Sequence, residues 1–398
     1  MPPPLSVLCV ASYLKGEEFI RECRRRGCRV LLLTAEPLRD AAWPRESVDY
    51  MFDVPRDAPD DQVRRAVETV ARSERIDRIV ALDDFDVEKA AMLREALRVP
   101  GMGQTTARYF RDKLAMRMRA RFAGLDVPEF VHVLNHQAVA EWTRRVPPPW
   151  MMKPRSSAAA VGIRRIGSEQ ELWDAIHGSG GEQPNYLLES FVTGDVYHVD
   201  SVIFRRRVLF AAAHQYGRPP FEVAHQGGIF VTRTLPAEGA EARALTALNA
   251  RVLEAFNLER GVSHTEFIRG PEGRWFFLET SARVGGAFIV DVVEAATGVN
   301  LWREWAALEI AGESGDYAVP PHRHDSAGIV LSLARQPEPD TSGYDDPEIV
   351  SRVRKHHHAG LIVASPAAAK VEQLVTDYTR RFYQDFHASQ PAPERPVD

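Results

Sequence analysis

The most informative part of this 398-residue sequence reads Gly261-Val-Ser-His-Thr-Glu-Phe-Ile268 and then Trp275-Phe-Phe-Leu-Glu-Thr-Ser-Ala-Arg-Val-Gly-Gly286. Two apolar strands flank a Pro-Glu-Gly turn, which is typical of a β-hairpin. If the turn centres between Glu272 and Gly273, Glu266 and Glu279 are direct cross-strand neighbours on one face. Two carboxylates so close repel each other, unless a cation neutralises both or one stays protonated.

Magnesium is the natural cation for such a pair. It demands oxygen ligands and usually takes one or two carboxylates together with substrate phosphates. The alternative is a pair of solvated hairpin glutamates, because Glu is seldom buried. The two residues alone leave both interpretations open, so the rest of the chain has to distinguish them.

The hairpin resembles the metal-binding hairpin of ATP-grasp enzymes and, within them, of the L-amino-acid ligases. Their pattern has H-T-E on one strand and E-[ST]-x-A-R on the next, matched here by His264-Thr-Glu266 and Glu279-Thr-Ser-Ala-Arg283. The resemblance implies that Glu266 and Glu279 bind Mg²⁺, with Mn²⁺ as the alternative ion. Many relatives have Asn where Ser281 stands, so Ser281 is the candidate third ligand. Arg283 is implied to face the transferring phosphate and the substrate carboxylate.

Two upstream lysines fit the same family. Tyr109-Phe-Arg-Asp-Lys113 matches the lysine before the lid subdomain, and Trp150-Met-Met-Lys153 matches the lysine on a lid strand. The resemblance implies that both bind the nucleotide and that Lys153 and Arg283 are the catalytic residues. A small-residue loop follows Lys153, and its backbone N–H groups could approach phosphate oxygens. Its candidate contacts are Ser156, Ser157 and Gly162.

The strand Tyr186-Leu-Leu-Glu189-Ser-Phe-Val-Thr-Gly194 resembles the family's adenine hinge. The implied roles are backbone groups near Phe191 and Val192 at the adenine edge, with Glu189 accepting from the exocyclic amine. Relatives commonly hold the ribose with a Glu two residues after the glycine. Val196 occupies that position here, which makes the neighbouring Asp195 the candidate.

Substrate contacts are expected between the lid and the hairpin. The amino-acid ligases have a Glu and a His three apart in a comparable segment, matched here by Glu222 and His225, and His264 is a further candidate that either faces the site or packs in the core. His356-His-His358 is not predicted to bind a metal, because consecutive side chains on a strand alternate between its two faces. We interpret this run as an exposed edge or a pocket rim.

The fold predicted for the chain combines α/β and α+β parts. Strand and helix patterns alternate over residues 1–103, which indicates a Rossmann-like domain, although no G-x-G-x-x-G follows the first strand. The resemblance then implies an ATP-grasp domain over residues 104–315, with a small lid subdomain at about residues 147–195. A C-terminal subdomain covers residues 316–398, and its Pro-rich end from Gln390 to Asp398 is expected to be frayed.

The composition limits the classes of binding partner that we expect for this protein. Fifty basic and fifty-five acidic residues give a net charge of −5. The chain therefore lacks the excess of positive charge that is typical of proteins that bind nucleic acid or an anionic membrane. The sequence shows neither a signal peptide nor a long apolar segment, so we expect a cytoplasmic protein. Its three cysteines, Cys9, Cys23 and Cys28, are expected to be buried apolar residues.

The resemblance implies an ATP-dependent ligase that joins a small-molecule carboxylate to an amine through an acylphosphate. Both substrates are expected to be amino acids, and homodimers are frequent among relatives. Three alternatives stay open. A carboxylase-type enzyme lacks support because Val284 is followed by Gly-Gly and not by the Q-V-E-H run of that group. A purine-pathway-type ligase and a non-catalytic nucleotide-binding relative are the other two.

Overall fold

The computed structural model describes residues 4–158, 160–313 and 315–389. Within these ranges the chain forms three β-sheets, of four, eight and four strands, with helices packed against them. None of the helices in these ranges is long and apolar enough to cross a membrane. The end from Gln390 to Asp398, for which fraying is expected, lies outside the described residues.

The N-terminal sheet is parallel, with the strand order β3-β2-β1-β4. Strands β1 and β2 are almost fully buried, as expected for a parallel sheet covered on both faces, and the three cysteines are buried around them. The elements of this region are β1 (Ser6–Ala11), α1 (Glu17–Arg25), β2 (Arg29–Ala35), β3 (Tyr50–Val54), α2 (Asp60–Val70), β4 (Arg78–Ala81) and α3 (Val87–Leu97). The alternation of strand and helix predicted from the sequence is confirmed.

A second, smaller sheet is antiparallel and has the order β5-β8-β6-β7. Its core contains Trp142, Trp150 and Leu188, packed under two helices. The elements that lead to it and form it are α4 (Gln104–Ala107), α5 (Lys113–Phe122), β5 (Phe130–His132), α6 (His136–Arg145), β6 (Trp150–Pro154), β7 (Arg164–Ile166), α7 (Glu169–Gly178) and β8 (Tyr186–Ser190). We call this unit the lid sheet.

The largest sheet has eight antiparallel strands in the order β13-β12-β9-β10-β11-β14-β16-β15. Its C-terminal strands continue the same sheet through the pairing of β11 with β14, while the domain limits near residues 103 and 315 remain predictions. Its elements are β9 (Asp195–Phe204), β10 (Arg207–Tyr216), α8 (Pro220–Gln226), β11 (Phe230–Thr234), α9 (Ala240–Ala255), β12 (Arg260–Arg269), β13 (Trp275–Ser281), α10 (Ile289–Thr297), α11 (Leu301–Ala311), β14 (Ser326–Leu333), β15 (Ile349–Lys355), β16 (His358–Ser365) and α12 (Ala368–Asp385).

The hairpin of β12 and β13 has the predicted register at the two carboxylates, because Glu266 pairs directly with Glu279. The turn is one residue shorter than a regular ladder would require, since Arg269 pairs with Trp275. A β-bulge restores the register, and the extra residue is Leu278 on β13. Glu266 and Glu279 therefore share one face of the sheet.

Candidate functional site

One face of the large sheet concentrates polar side chains on four neighbouring strands. Each strand contributes two residues that are two positions apart, so both point to the same side. The cross-strand register then brings the four pairs together at one end of the sheet. The pairs are His198 and Asp200 on β9, His214 and Tyr216 on β10, His264 and Glu266 on β12, and Glu279 and Ser281 on β13.

Lys113 reaches this face from the first residue of helix α5. Asp112 caps the helix by accepting a hydrogen bond from the backbone N–H of Leu114 at 2.9 Å. The buried Lys113 Nζ lies 2.9 Å from Oε2 of Glu279 and donates to the backbone carbonyl of Ser157 at 2.7 Å. One ammonium group thus joins α5, the hairpin and the small-residue loop.

The small-residue loop presents carbonyl oxygens to the neighbouring cations. The Ser157 carbonyl accepts from Lys113, and the Ser156 carbonyl accepts from Nη2 of Arg111 at 2.8 Å. Gly162, at the end of the loop, has a φ of +74°, which favours glycine. The Lys113 ammonium has three N–H donors, and its contacts with Glu279 and with the Ser157 carbonyl account for two of them.

Glu189 and Lys153 form a second charged group between the lid sheet and α5. Glu189 Oε2 lies 2.6 Å from Nζ of Lys153, and Oε1 lies 2.6 Å from Nε of Arg117. Burial alone would raise the pKa of Glu189, but the charges of Arg117 and Lys153 outweigh it and lower that pKa. Both carboxylate oxygens, expected to receive an adenine amine, are thus in contact with cations.

The hinge between β8 and β9 contains the other predicted adenine residues. The backbone N–H of Phe191 donates to the Pro149 carbonyl at 3.1 Å, so this group already has a partner. The Val192 side chain packs beside Ile268. Asp195, the predicted ribose residue, is the exposed first residue of β9 and accepts a long hydrogen bond of 3.5 Å from Gln215.

Glu266 is held by a buried hydrogen-bond network. Tyr216 donates its hydroxyl hydrogen to Oε1 of Glu266 at 2.9 Å, and Nε2 of His264 lies 3.3 Å from the same hydroxyl. The other ring nitrogen of His264 lies 2.9 Å from Oδ1 of Asp200, whose Oδ2 is 2.7 Å from Nδ1 of His198. His214 stacks on His198, with ring centroids 4.5 Å apart.

These contacts set the charge states of the network. Burial lowers the pKa of His264, but the charge of Asp200 and its hydrogen bond outweigh it and raise the pKa to about 9. Burial and the neighbouring His198 lower the pKa of His214 to about 3. Burial also raises the pKa of Tyr216 well above 10, so its hydroxyl stays a donor.

Arg283 contacts the segment that follows strand β4 of the N-terminal sheet. Its Nε and Nη2 both donate to Oδ2 of Asp84, at 3.0 and 2.5 Å, and its Nη1 donates to the Val284 carbonyl. Burial would raise the pKa of Asp84, but Arg283 and Arg111, with help from the Ser281 hydroxyl, lower it to about 2. Ser281 thus lies beside Asp84, and an ionised carboxylate fixes the guanidinium.

Glu222 and His225 belong to helix α8, where both contact their own segment. Arg218 donates to Glu222 at 3.3 Å, and the His225 ring lies 3.0 Å from the Phe221 carbonyl. Their role as substrate contacts stays a prediction.

The histidine run differs from the expected strand. Lys355 pairs with His358, and His356 and His357 form the turn between them. The sequence contains no Asn-Gly or Asp-Gly there, so the usual signal for a two-residue hairpin turn was missing.

Several residues of this site were not singled out by the sequence. Arg117 is one helical turn after Lys113 and therefore on the same face of α5. Asp200 and Tyr216 carried a usable signal, because each follows a histidine by two positions on an apolar strand. Asp84 carried none, since its partner Arg283 is 199 residues away in the chain.

Comparison with known proteins gives several related ligases, while no family model matches the sequence. The L-arginine-specific L-amino acid ligase of Bacillus subtilis is 25% identical over 233 residues, which cover 57% of this chain and 56% of that protein. The D-alanine–D-alanine ligase B of Pseudomonas putida is 24% identical over 253 residues, which cover 61% of this chain and 78% of that protein. The chain thus spans little more than half the length of the first of these relatives.

A solved structure covers more of the chain. The L-amino acid ligase of Bacillus licheniformis superimposes with a TM-score of 0.77 over 98% of this chain and 100% of its own, at 17% sequence identity. This likeness shows a shared fold, with the mixed parallel and antiparallel sheets that the sequence predicted.

Proposed function

This chain belongs to the ATP-grasp superfamily, and we propose that within it the protein is an ADP-forming carboxylate–amine ligase similar to the L-amino-acid ligases. The observation that carries the proposal is the cross-strand pair of Glu266 and Glu279, with Lys113 on one carboxylate. Structural ion pairs have no need of two acids side by side in a half-buried position.

The proposed reaction has two steps. A carboxylate oxygen of the acid attacks the γ-phosphorus of ATP, the bond to the β–γ bridging oxygen breaks, and ADP leaves an acylphosphate behind. The amine nitrogen then attacks the acyl carbon, inorganic phosphate leaves, and the nitrogen releases its proton. The chain's own groups contribute by positioning and by neutralising charge, since no protein nucleophile is needed.

Glu266 and Glu279, with Ser281 beside them, would hold Mg²⁺ or Mn²⁺. The fit rests on an all-oxygen donor set, and on Glu266, whose side-chain contacts within the described residues all involve Oε1. The ion, when bound, would neutralise the nucleotide's phosphates. Lys113, Lys153 and the loop at Ser156, Ser157 and Gly162 would bind those phosphates.

The remaining roles follow from position. Glu189, Phe191, Val192 and Asp195 would surround the nucleoside, and Glu189 would accept from the adenine amine through a carboxylate whose two oxygens also contact Arg117 and Lys153. Arg283 would bind the substrate carboxylate and the transferring phosphate through the guanidinium N–H groups that do not contact Asp84 or the Val284 carbonyl. Glu222 and His225 are the proposed amino-acid contacts.

The proposed substrates are two amino acids, or an amino acid and a small acid, and L-arginine is the first amino acid to test because of the Bacillus subtilis relative. A homodimer and a cytoplasmic location belong to the proposal as well. Phosphate release measured over pairs of amino acids and small acids tests the activity. Release that requires ATP and both substrates is expected, whereas silence over the panel with ATP binding retained would refute the ligase proposal.

The metal assignment has its own test in Glu279→Gln. This change removes one carboxylate charge and should abolish ADP release. The matched control is Glu272→Gln, in the exposed turn of the same hairpin, which should retain the normal rate. Normal ADP release by Glu279→Gln would show that the metal assignment is wrong.

A further inference from the structure

The network behind Glu266 is unusually polar for the interior of a sheet. His198, Asp200 and His214 have no exposed surface, and His264 and Tyr216 are also buried. Burying charged or polar groups costs free energy, and well-packed apolar side chains would stabilise the sheet at least as well. A role beyond stability is therefore expected for these residues.

The contacts form a directed relay that ends at Glu266. His264 lies between Asp200 at 2.9 Å and the Tyr216 hydroxyl at 3.3 Å, and that hydroxyl donates to Glu266 at 2.9 Å. Each member orients the next, because a histidine ring held at one nitrogen has a fixed direction for the other. Among the described residues, the side-chain contacts of Glu266 involve Oε1 and not Oε2, so Oε2 is left to other ligands.

We propose that Tyr216, His264 and Asp200 are positioning residues for Glu266, and that they hold its Oε1 so that Oε2 is available to a divalent cation. This inference rests on the proposed function, since it assumes that Glu266 is a metal ligand. It also gives His264 a role different from the substrate contact expected from the sequence. Carboxylate ligands of metals are commonly oriented by such hydrogen bonds.

A metal ion within the relay itself is a competing interpretation. His198, Asp200 and His264 offer ligand atoms that lie within 4.8 Å of one another. The separations of 2.7 and 2.9 Å between Asp200 and the two rings are those of hydrogen bonds, and Nε2 of His198 already lies 2.7 Å from Thr232 Oγ1. Hydrogen bonding therefore accounts for the geometry without an ion.

Tyr216→Phe is the sharpest test, because it removes one hydroxyl and keeps the ring. Binding of Mn²⁺ to the 398-residue protein with ADP present is followed by the electron paramagnetic resonance signal of free Mn²⁺. We expect the dissociation constant for Mn²⁺ to rise by about 10- to 100-fold, the usual cost of losing a group that orients a metal ligand. His264→Gln should raise it in the same direction, which provides a second variant.

Tyr344→Phe is the matched control. Tyr344 is a buried tyrosine whose hydroxyl donates to Asp385 at 2.7 Å, far along the sheet in the C-terminal core. It should lose comparable thermal stability with no change in Mn²⁺ affinity.

The outcomes distinguish a failure of the positioning role from a failure of the proposed function. If wild type binds Mn²⁺ with ADP and Tyr216→Phe binds it equally well, the positioning role is refuted. Equal loss of affinity in Tyr344→Phe would also refute it, because the effect would then be general. A transition metal that co-purifies in stoichiometric amount and is lost in His198→Gln would establish the competing site and overturn the proposal. Failure of wild type itself to bind Mn²⁺ with ADP would overturn the proposed function.

Discussion

Glu189→Gln should destabilise the protein more than Arg117→Met, although each change breaks the ion pair between Glu189 and Arg117. Glu189 is a single anion between two cations, with side-chain exposures of 1% for Glu189, 1% for Arg117 and 14% for Lys153. Glu189→Gln keeps the shape of the side chain but leaves two buried cations without a counter-charge. Arg117→Met instead leaves one ion pair, between Glu189 and Lys153.

The size of the effect follows from the geometry. Charges about 4 Å apart attract by about 4 kcal/mol at an effective dielectric constant of about 20, and desolvation offsets much of this. Removing one partner of a buried pair costs about 3–5 kcal/mol in measured cases, which is the loss expected for Glu189→Gln. Arg117→Met should cost less, about 1–3 kcal/mol, mainly because the Leu278 carbonyl loses its donor.

Urea unfolding followed by tryptophan fluorescence measures both changes, since Trp142 and Trp150 lie in the core of the lid sheet. Glu141→Gln, at an exposed position of helix α6, makes the same chemical change in the same unit and should be neutral. The prediction would be refuted if the free energy of unfolding of Glu189→Gln lay within about 1 kcal/mol of the wild-type value. An equal or larger loss in Arg117→Met would refute it too.

Two further changes test the electrostatics of the site. Neutral His214, with its pKa near 3, loses its stabilising effect as the pH falls below 6.5, whereas charged His264, with its pKa near 9, loses it as the pH rises from 6.5 to 9. The melting temperature should therefore be highest near pH 6.5. When the pH falls from about 6.5 to about 5, the melting temperature of His214→Phe should fall by less than that of wild type. An equal fall in both proteins would contradict the lowered pKa of His214. Asp84→Asn weakens the hydrogen bonds that position Arg283. It should lower kcat in the phosphate-release assay by about 10- to 100-fold, with little change in KM for ATP. An unchanged kcat would show that the contact only joins the two sheets.

The hairpin could be predicted from the sequence because its information is local. The Pro-Glu-Gly turn and the apolar flanks determine the pairing of Glu266 with Glu279 to within one residue. The bulge at Leu278 carried no such signal, yet it is what brings the two carboxylates into register. Local chemistry therefore predicted the contact, although not the route by which the chain achieves it.

The partners of the cations were not predictable, because they depend on how separate units pack. The sequence indicated that Lys113 and Lys153 bind phosphates, but it held no information on the carboxylates that they contact without nucleotide. The same applies to Arg283, whose partner Asp84 follows a strand of another sheet. Side-chain pairing between residues of different sheets is a property of the tertiary structure.

The contact between Asp84 and Arg283 also limits how this protein can be recombined. Asp84 follows strand β4 of the N-terminal sheet, while Arg283 follows the hairpin of the large sheet. A chimera that takes its first hundred or so residues from a relative would lose the anchor of this arginine unless the donor also has an acid at the position that corresponds to Asp84, after strand β4. Choosing parents by that one position, or adding the acid back, is therefore a practical rule for building hybrid enzymes from this scaffold.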